Sequence, residues 1–346
     1  MPTTITAAHK AQVDQQAADT LADPRWFPMR YDGRNDAFIF AWVTPDVHRA
    51  LTFISDFRPA ETRTIARAAL DGGRIATAPL HVILHSGLGG STLLARALGQ
   101  PGVVTTLKEP PILTDVVALG LRSSENEAAD ALSRVSALLS RPFTSGEALV
   151  CKMSSVGNGL SAAIARQRRD TQILCLQTPL VQFLASLASK GTEGRIGGRR
   201  LFVGLQNARM ACTALSSSEL IDHTDLQLAA LAWLSIQNMI SDTAKHLGPK
   251  RVRSMGSEEL LADPRNSLAA IADHFRLKLD VDERLASGVF RRHAKTGQPF
   301  SNEKRAAELS KTLSDHGAEI LGIVDWARKV SDANGIAWDL PYPLLD

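Results

Sequence analysis

The chain has 346 residues, enough for one large or two modest domains with a substantial core. Apolar residues make up 44% and charged residues 22%, an ordinary globular balance, while aromatics at 5% argue against a stacking platform for nucleic-acid bases. A net charge of +3 is too small to imply polyanion binding by itself, though it leaves room for a local anion site.

The cysteines, Cys151, Cys175 and Cys212, form no C-x-x-C pair and no zinc spacing, which suits a reduced compartment. The stretch 1–14 has no apolar core of signal-peptide type, and no run approaches the ~20 apolar residues of a membrane span. A cytoplasmic protein with no membrane or nucleic-acid partner is expected, and a homodimer is left open.

In chain order, residues 1–23 are polar and Ala-rich, either a helix or a loose arm. Residues 38–43 (FIFAWV) predict a short strand, and a helix starts at Pro45. Residues 60–70 predict a helix stopped by Gly72-Gly73. Pro79 marks a boundary between a small α+β lead-in, 1–78, and a main domain, 79–346.

From Leu80 onward, short apolar runs predict buried strands at 81–85 (HVILH), 103–107, 148–153 (ALVCKM), 171–176 (TQILCL) and 251–255 (RVRSM). Helical patterns fill the gaps at 92–98, 112–121, 126–139, 159–167, 180–189, 199–215 and 225–247. The run 194–198 (GRIGG) reads as a flexible basic loop, and Trp233 sits in a helix that is apolar nearly all round, as a core residue would. Helices at 264–275, 283–290, 302–313 and 318–333 form the tail. Strand–helix alternation of this kind predicts an α/β fold with a parallel sheet flanked by helices and a helical C-terminal part.

The strongest signal is HVILHSGLGGSTLLARAL, residues 81–98. An apolar strand runs into Ser86-Gly87-Leu88-Gly89-Gly90, then Ser91-Thr92 opens a helix. Small residues let consecutive N–H groups converge on one anion, and the helix start adds its unpaired amides and dipole. Ser91 or Thr92 is suited to cap the helix or donate a hydroxyl. The Walker pattern G-x-x-x-x-G-K-[ST] is not met, because Ser91 stands where Lys is needed and His85 where the first Gly is needed. No His/Cys/Asp cluster has metal-ligand spacing.

The turn resembles the 5′-phosphosulfate loop of the sulfotransferase-like branch of the P-loop fold. The resemblance continues through GVVTTLKEPPILTD (102–115), KMSSVGN (152–158), TQILCLQTPLVQFLASLASKGTEGR (171–195), DPRNSLAAIADHFRL (263–277) and HAKTGQPFS (293–301), and covers roughly residues 80–300. It implies a P-loop NTPase-like sheet and transfer of a sulfuryl group from 3′-phosphoadenosine 5′-phosphosulfate to a hydroxyl of a small-molecule acceptor, with no metal.

In these terms residues 87–92 (Gly87, Leu88, Gly89, Gly90, Ser91, Thr92) hold the 5′ end of the nucleotide. Leu88 occupies the place of the family's loop cation, so Lys108 or Lys152 is expected to support the leaving phosphate. Glu109 is the first candidate for general base and His85 the second. Gln177 and Ser186 correspond to the family's Arg and Ser at the 3′-phosphate. Gln177 brings no charge, which Arg291, Arg292 and Lys295, or Arg195, Arg199 and Arg200, could restore. Two alternatives stay open: a P-loop kinase-like phosphotransferase, and a nucleotide-binding or assembly protein without catalysis.

Overall fold

The structure, a computed structural model, describes residues 7–70 and 75–345. The expected Gly72-Gly73 stop lies outside the described residues. After α1 (Ala7–Ala22) comes a three-stranded antiparallel sheet, β1 (Trp26–Asp32), β2 (Ala37–Trp42) and β3 (Thr62–Ala66), with α2 (Pro45–Ala50) on the β2–β3 connection. The helix expected over 60–70 is therefore a strand followed by a short 3₁₀ turn, Arg67–Leu70. The β-branched Thr62, Thr64 and Ile65 suit a pleated edge, and the buried Ile65 pairs with Phe38 of β2.

The second sheet has five parallel strands: β4 (Leu80–His85), β5 (Val104–Lys108), β6 (Ala148–Lys152), β7 (Ile173–Gln177) and β8 (Val252–Gly256). Their spatial order is β5-β6-β4-β7-β8. Every residue of β4, β5 and β6 is buried, so the strands are mostly apolar and their polar members, among them His81, Thr105, Thr106 and Lys108, are enclosed as well. The connections are carried by α3 (Ser91–Leu98), α4 (Pro111–Gly120), α5 (Glu125–Leu139), α6 (Ser161–Gln167), α7 (Leu180–Ala188), α8 (Gly191–Asn207), α9 (Ser217–Asp222) and α10 (Asp225–Leu247). Beyond β8 lie α11 (Ser257–Ala262), α12 (Pro264–Phe275), α13 (Val281–Ala286) and α14 (Asn302–Ala333).

Several expectations are corrected in this helical part: the helix expected over 199–215 ends at Asn207, and that over 283–290 ends at Ala286, with a separate 3₁₀ turn at Val289–Arg291. The run 194–198 is not a loop but the centre of α8. A β-carbon on Gly198 would stand 2.6 Å from that of Ala229 in α10, and one on Gly194 would stand 2.2 Å from the Leu187 carbonyl. The glycines let α8 press against α7 and α10, and that packing outweighs their low helix propensity. The tail pieces 302–313 and 318–333 are a single helix that continues through Gly317.

The lead-in is fastened to the main sheet. One apolar cluster runs from Trp26, Phe38 and Phe40 through Val82 and Leu107 to Trp233. Arg30 pairs with Asp115 of α4 through two 2.8 Å hydrogen bonds. Arg141, buried, donates to the carbonyls of Thr20, Leu21, Asp23 and Trp26. At the other end, residues 336–345 run back beside β8, where the Ser254 N–H donates to Tyr342 O at 2.8 Å and the Leu344 N–H to Ser254 O at 2.7 Å. Among the described residues, no helix is long and apolar enough to cross a membrane.

Candidate active site

After β4 the chain moves toward β5 and β6, and after β7 it moves toward β8. Divergent connections at neighbouring strands open a crevice at their C-terminal ends, where ligands of open parallel sheets sit. The turn 86–90 occupies that position. Gly87, Leu88 and Gly90 have φ of 95°, 54° and 82°, so the backbone curls in the left-handed region and its amides turn inward.

Gly90 is the N-cap of α3 and supplies no side-chain cap. Ser91 and Thr92 are the first helical residues and are buried, so neither caps the helix. Amides at the start of α3 thus lack a side-chain acceptor although their residues are buried, the situation in which a helix start takes an anion. A β-carbon on Gly90 would meet nothing within 4 Å. These features fit a phosphate-like group. Leu88 is the exception in chemistry: a branched apolar side chain held at positive φ and packed on the core.

Lys152, at the end of β6, forms an ion pair with Glu109, which follows β5, and the Glu109 N–H donates to the Lys152 carbonyl at 2.9 Å. Glu109 is held at φ 58°, a conformation a non-glycine residue adopts only when its surroundings impose it. Its side chain is 27% exposed, against 2% for Lys152. Burial draws the Lys152 pKa down from its ordinary value, and the Glu109 carboxylate opposes that shift. Phe53, from the lead-in, lies close to two ammonium groups, with Lys152 Nζ 5.4 Å and Lys295 Nζ 5.6 Å from its ring centre.

His85 is fully enclosed. Its Nε2–H donates to Met153 O at 2.9 Å, which leaves Nδ1 as a buried lone pair with no hydrogen-bond partner. Burial, then the nearby Lys152 charge, holds its pKa well below the usual histidine value, so the ring is neutral. The Asn158 side-chain amide donates to the His85 carbonyl at 3.0 Å and fixes the strand end.

Other sequence candidates are placed differently. Lys108 does not turn toward the anion turn; it is buried and its ammonium donates to the His48 carbonyl in α2. Burial, with Arg96 and Lys152 nearby, lowers its pKa to about 8. Gln177 donates through Nε2 to Trp338 O at 2.8 Å, so its other end is a carbonyl oxygen, an acceptor with nothing to offer a phosphate. Arg195 is paired with Glu319 through two 2.7 Å bonds, and Arg199 is bound to Asp225 and to the carbonyls of Leu220 and His223. Ser186 lies half-buried on α7, and Arg200 is exposed on α8.

Arg292 and Lys295 remain in the exposed late loop. With Arg291, Arg292 lines a cavity of about 410 Å³ walled also by Ser287, Gly288, Gly297 and Pro299. Phe53 was not legible as a site residue. Phe53 is about 100 residues from Lys152, and only the folded lead-in brings it there.

No protein-family model and no curated protein sequence matches the chain. Among solved structures it is similar to the sulfotransferase domain from the curacin biosynthetic pathway, at 15% identity over 64% of this chain and 82% of that one, with a TM-score of 0.41. It is also similar to the sulfotransferase domain from the Synechococcus PCC 7002 olefin synthase, at 18% identity over 69% of this chain and 88% of that one, with a TM-score of 0.38.

Proposed function

We propose that the chain is a sulfotransferase-like enzyme that moves a sulfuryl group from 3′-phosphoadenosine 5′-phosphosulfate to a hydroxyl of a small-molecule acceptor. The observation that carries this is the meeting, at one end of the parallel sheet, of an uncapped anion turn without a Walker lysine and the Glu109–Lys152 pair. When bound, the nucleotide supplies an activated sulfuryl group whose sulfur–oxygen bond to the 5′-phosphate breaks as the bond to the acceptor oxygen forms.

The chain's own groups have separate tasks in this reading. The amides of 87–92 hold the 5′-phosphate and, with Lys152, stabilise the charge that grows on it. Glu109 accepts the acceptor's proton, and the neutral His85 is the alternative base. Arg292 and Lys295 supply the positive charge toward the 3′-phosphate that Gln177 does not. Ser91 in place of a Walker lysine counts against a phosphoryl-transferring kinase, which uses that cation at the β- and γ-phosphates.

The test is calorimetry of the full chain with adenosine 3′,5′-bisphosphate and then with ATP, each with and without magnesium. Binding of the bisphosphate that needs no magnesium, with weaker binding of ATP, is expected. Tight, magnesium-dependent ATP binding alone would replace this function with a kinase-like one.

A further inference from the structure

Thr178 joins the anion turn to the body of the molecule. Its N–H donates to Ser86 Oγ at 2.7 Å, and its carbonyl accepts the indole N–H of Trp233 at 2.8 Å. Its side chain lies against Gly89 so closely that a β-carbon there would fall 1.6 Å from the threonine hydroxyl. Ser86, Thr178 and Trp233 are each at most 1% exposed, so water replaces none of these contacts.

The far side of Trp233 meets the C-terminal segment. The rings of Trp233 and Trp338 are 5.1 Å apart, tilted at 54°. The Trp338 carbonyl accepts two side-chain amides, from Gln177 at 2.8 Å and from Gln237 at 2.9 Å. Gln177 directly precedes Thr178, so the segment reaches the end of β7 by two routes. The first is the Gln177 hydrogen bond, and the second is the contact between the tilted tryptophan rings. The segment is itself held by the bonds of Ser254 to Tyr342 and Leu344, and the Arg328 guanidinium lies 4.2 Å over the Trp338 ring.

We propose that residues 336–345 form a strap that sets the shape of the anion turn through Trp233 and Thr178, which makes Trp338, Trp233 and Thr178 positioning residues for anion binding. Removing the Trp233 N–H leaves the buried Thr178 carbonyl without its donor, and removing the Trp338 ring leaves Trp233 without its outer wall. Either change frees Thr178, and with it the Ser86 hydroxyl and the packing at Gly89. The consequence for binding rests on the anion-turn function proposed above, but the geometry of the strap does not.

The experiment uses the full chain with Trp338→Ala, Trp338→Phe and Trp233→Phe, and with Ile65→Ala in the antiparallel sheet as a control for general destabilisation. Amide hydrogen exchange is read at Ser86, Thr178 and Leu94, whose N–H groups donate to Leu176 O, Ser86 Oγ and Gly90 O. Exchange at these amides is expected to quicken on the order of ten-fold in Trp338→Ala and Trp233→Phe beyond any change in the control, with Trp338→Phe close to wild type. The dissociation constant for adenosine 3′,5′-bisphosphate is expected to rise by a similar factor. If exchange responds in this way but the wild type does not bind the bisphosphate, the nucleotide function fails and the strap stands. Exchange that is unchanged, or that rises no more than in Ile65→Ala, overturns the strap. Gln177→Met removes only one bond to the segment and gives the same decision at Thr178 should a tryptophan variant not fold.

Discussion

The ammonium of Lys152 and the carboxylate of Glu109 face each other across the ends of two paired strands, while the Glu109 backbone N–H returns a hydrogen bond to the Lys152 carbonyl. The two residues are 43 apart in the chain yet fix each other at both backbone and side chain. One buried cation and one partly exposed carboxylate thus stand at the C-terminal end of the sheet, and the proposed function uses them for leaving-group support and proton removal.

Glu109→Gln is therefore expected to lower single-turnover transfer by on the order of 10²–10⁴ while adenosine 3′,5′-bisphosphate still binds, since the amide retains a hydrogen-bonding group for Lys152 but accepts no proton. The check is rapid-quench transfer to a hydroxylated acceptor alongside calorimetry. Full activity would pass the base role to His85 or to the acceptor itself.

The two central glycines of the turn are expected to behave differently. Gly89→Ala places a β-carbon inside Thr178 and should abolish nucleotide binding, with a clear loss of thermal stability. Gly90→Ala meets open space and bears only the strain of its 82° φ, about 1 kcal/mol, so a folded protein with measurable affinity is expected. Calorimetry and thermal melts of both variants decide it. Equal behaviour would mean that Thr178 does not pack on the turn.

Arg292→Ala and Lys295→Ala are each expected to weaken bisphosphate binding by about 1–2 kcal/mol at low salt, and by less as salt is raised, as for charge-assisted contacts at an exposed site. Titrations at two ionic strengths test this. A salt-independent loss would point to altered packing of the late loop instead.

Acid should destabilise the protein early. Burial lowers His48 to about 3, with Lys108 and Arg49 adding to the shift. Burial also lowers His81 to about 4, opposed by Asp170 and assisted by His274, Arg276 and Arg168. A folded pKa below the unfolded one means that the unfolded chain takes up protons first. The stability these neutral rings contribute is thus complete above pH 6.5 and is lost as pH falls toward 4 and 3. Between pH 7 and 5 the two together account for roughly 4 kcal/mol. Urea unfolding at both pH values measures the total, to which His85 also contributes, and His48→Gln is expected to reduce it by about 2 kcal/mol.

The sequence made the centre of the fold readable because its signals are local. The run 81–98 carries a buried strand, small residues for the turn and an amphipathic helix in one stretch, and β4, the turn and α3 follow it closely. The five parallel strands stood out because both faces of the sheet are covered. Features set by distant partners were hidden. The glycine-rich centre of α8 is helical only because α7 and α10 lie against it, and TRTIA becomes a strand because β2 offers an edge. Lys108 and Gln177 sit at strand ends as expected, but their hydrogen bonds go to residues 60 and 161 positions away, which no local pattern encodes.

The guanidinium of Arg141 has a consequence for synthesis. The carbonyls it gathers, between Thr20 and Trp26, leave the ribosome at least 115 residues before it does. At ordinary elongation rates that is an interval on the order of 10 s. Throughout that time the turn between α1 and β1 has only the local Arg25–Asp23 pair and lacks the guanidinium that gathers its carbonyls, so it is fixed in place only after α5 has been made. A nascent chain stalled before Arg141 should stay open to protease at residues 20–26, and one stalled after the exit of β6 should not.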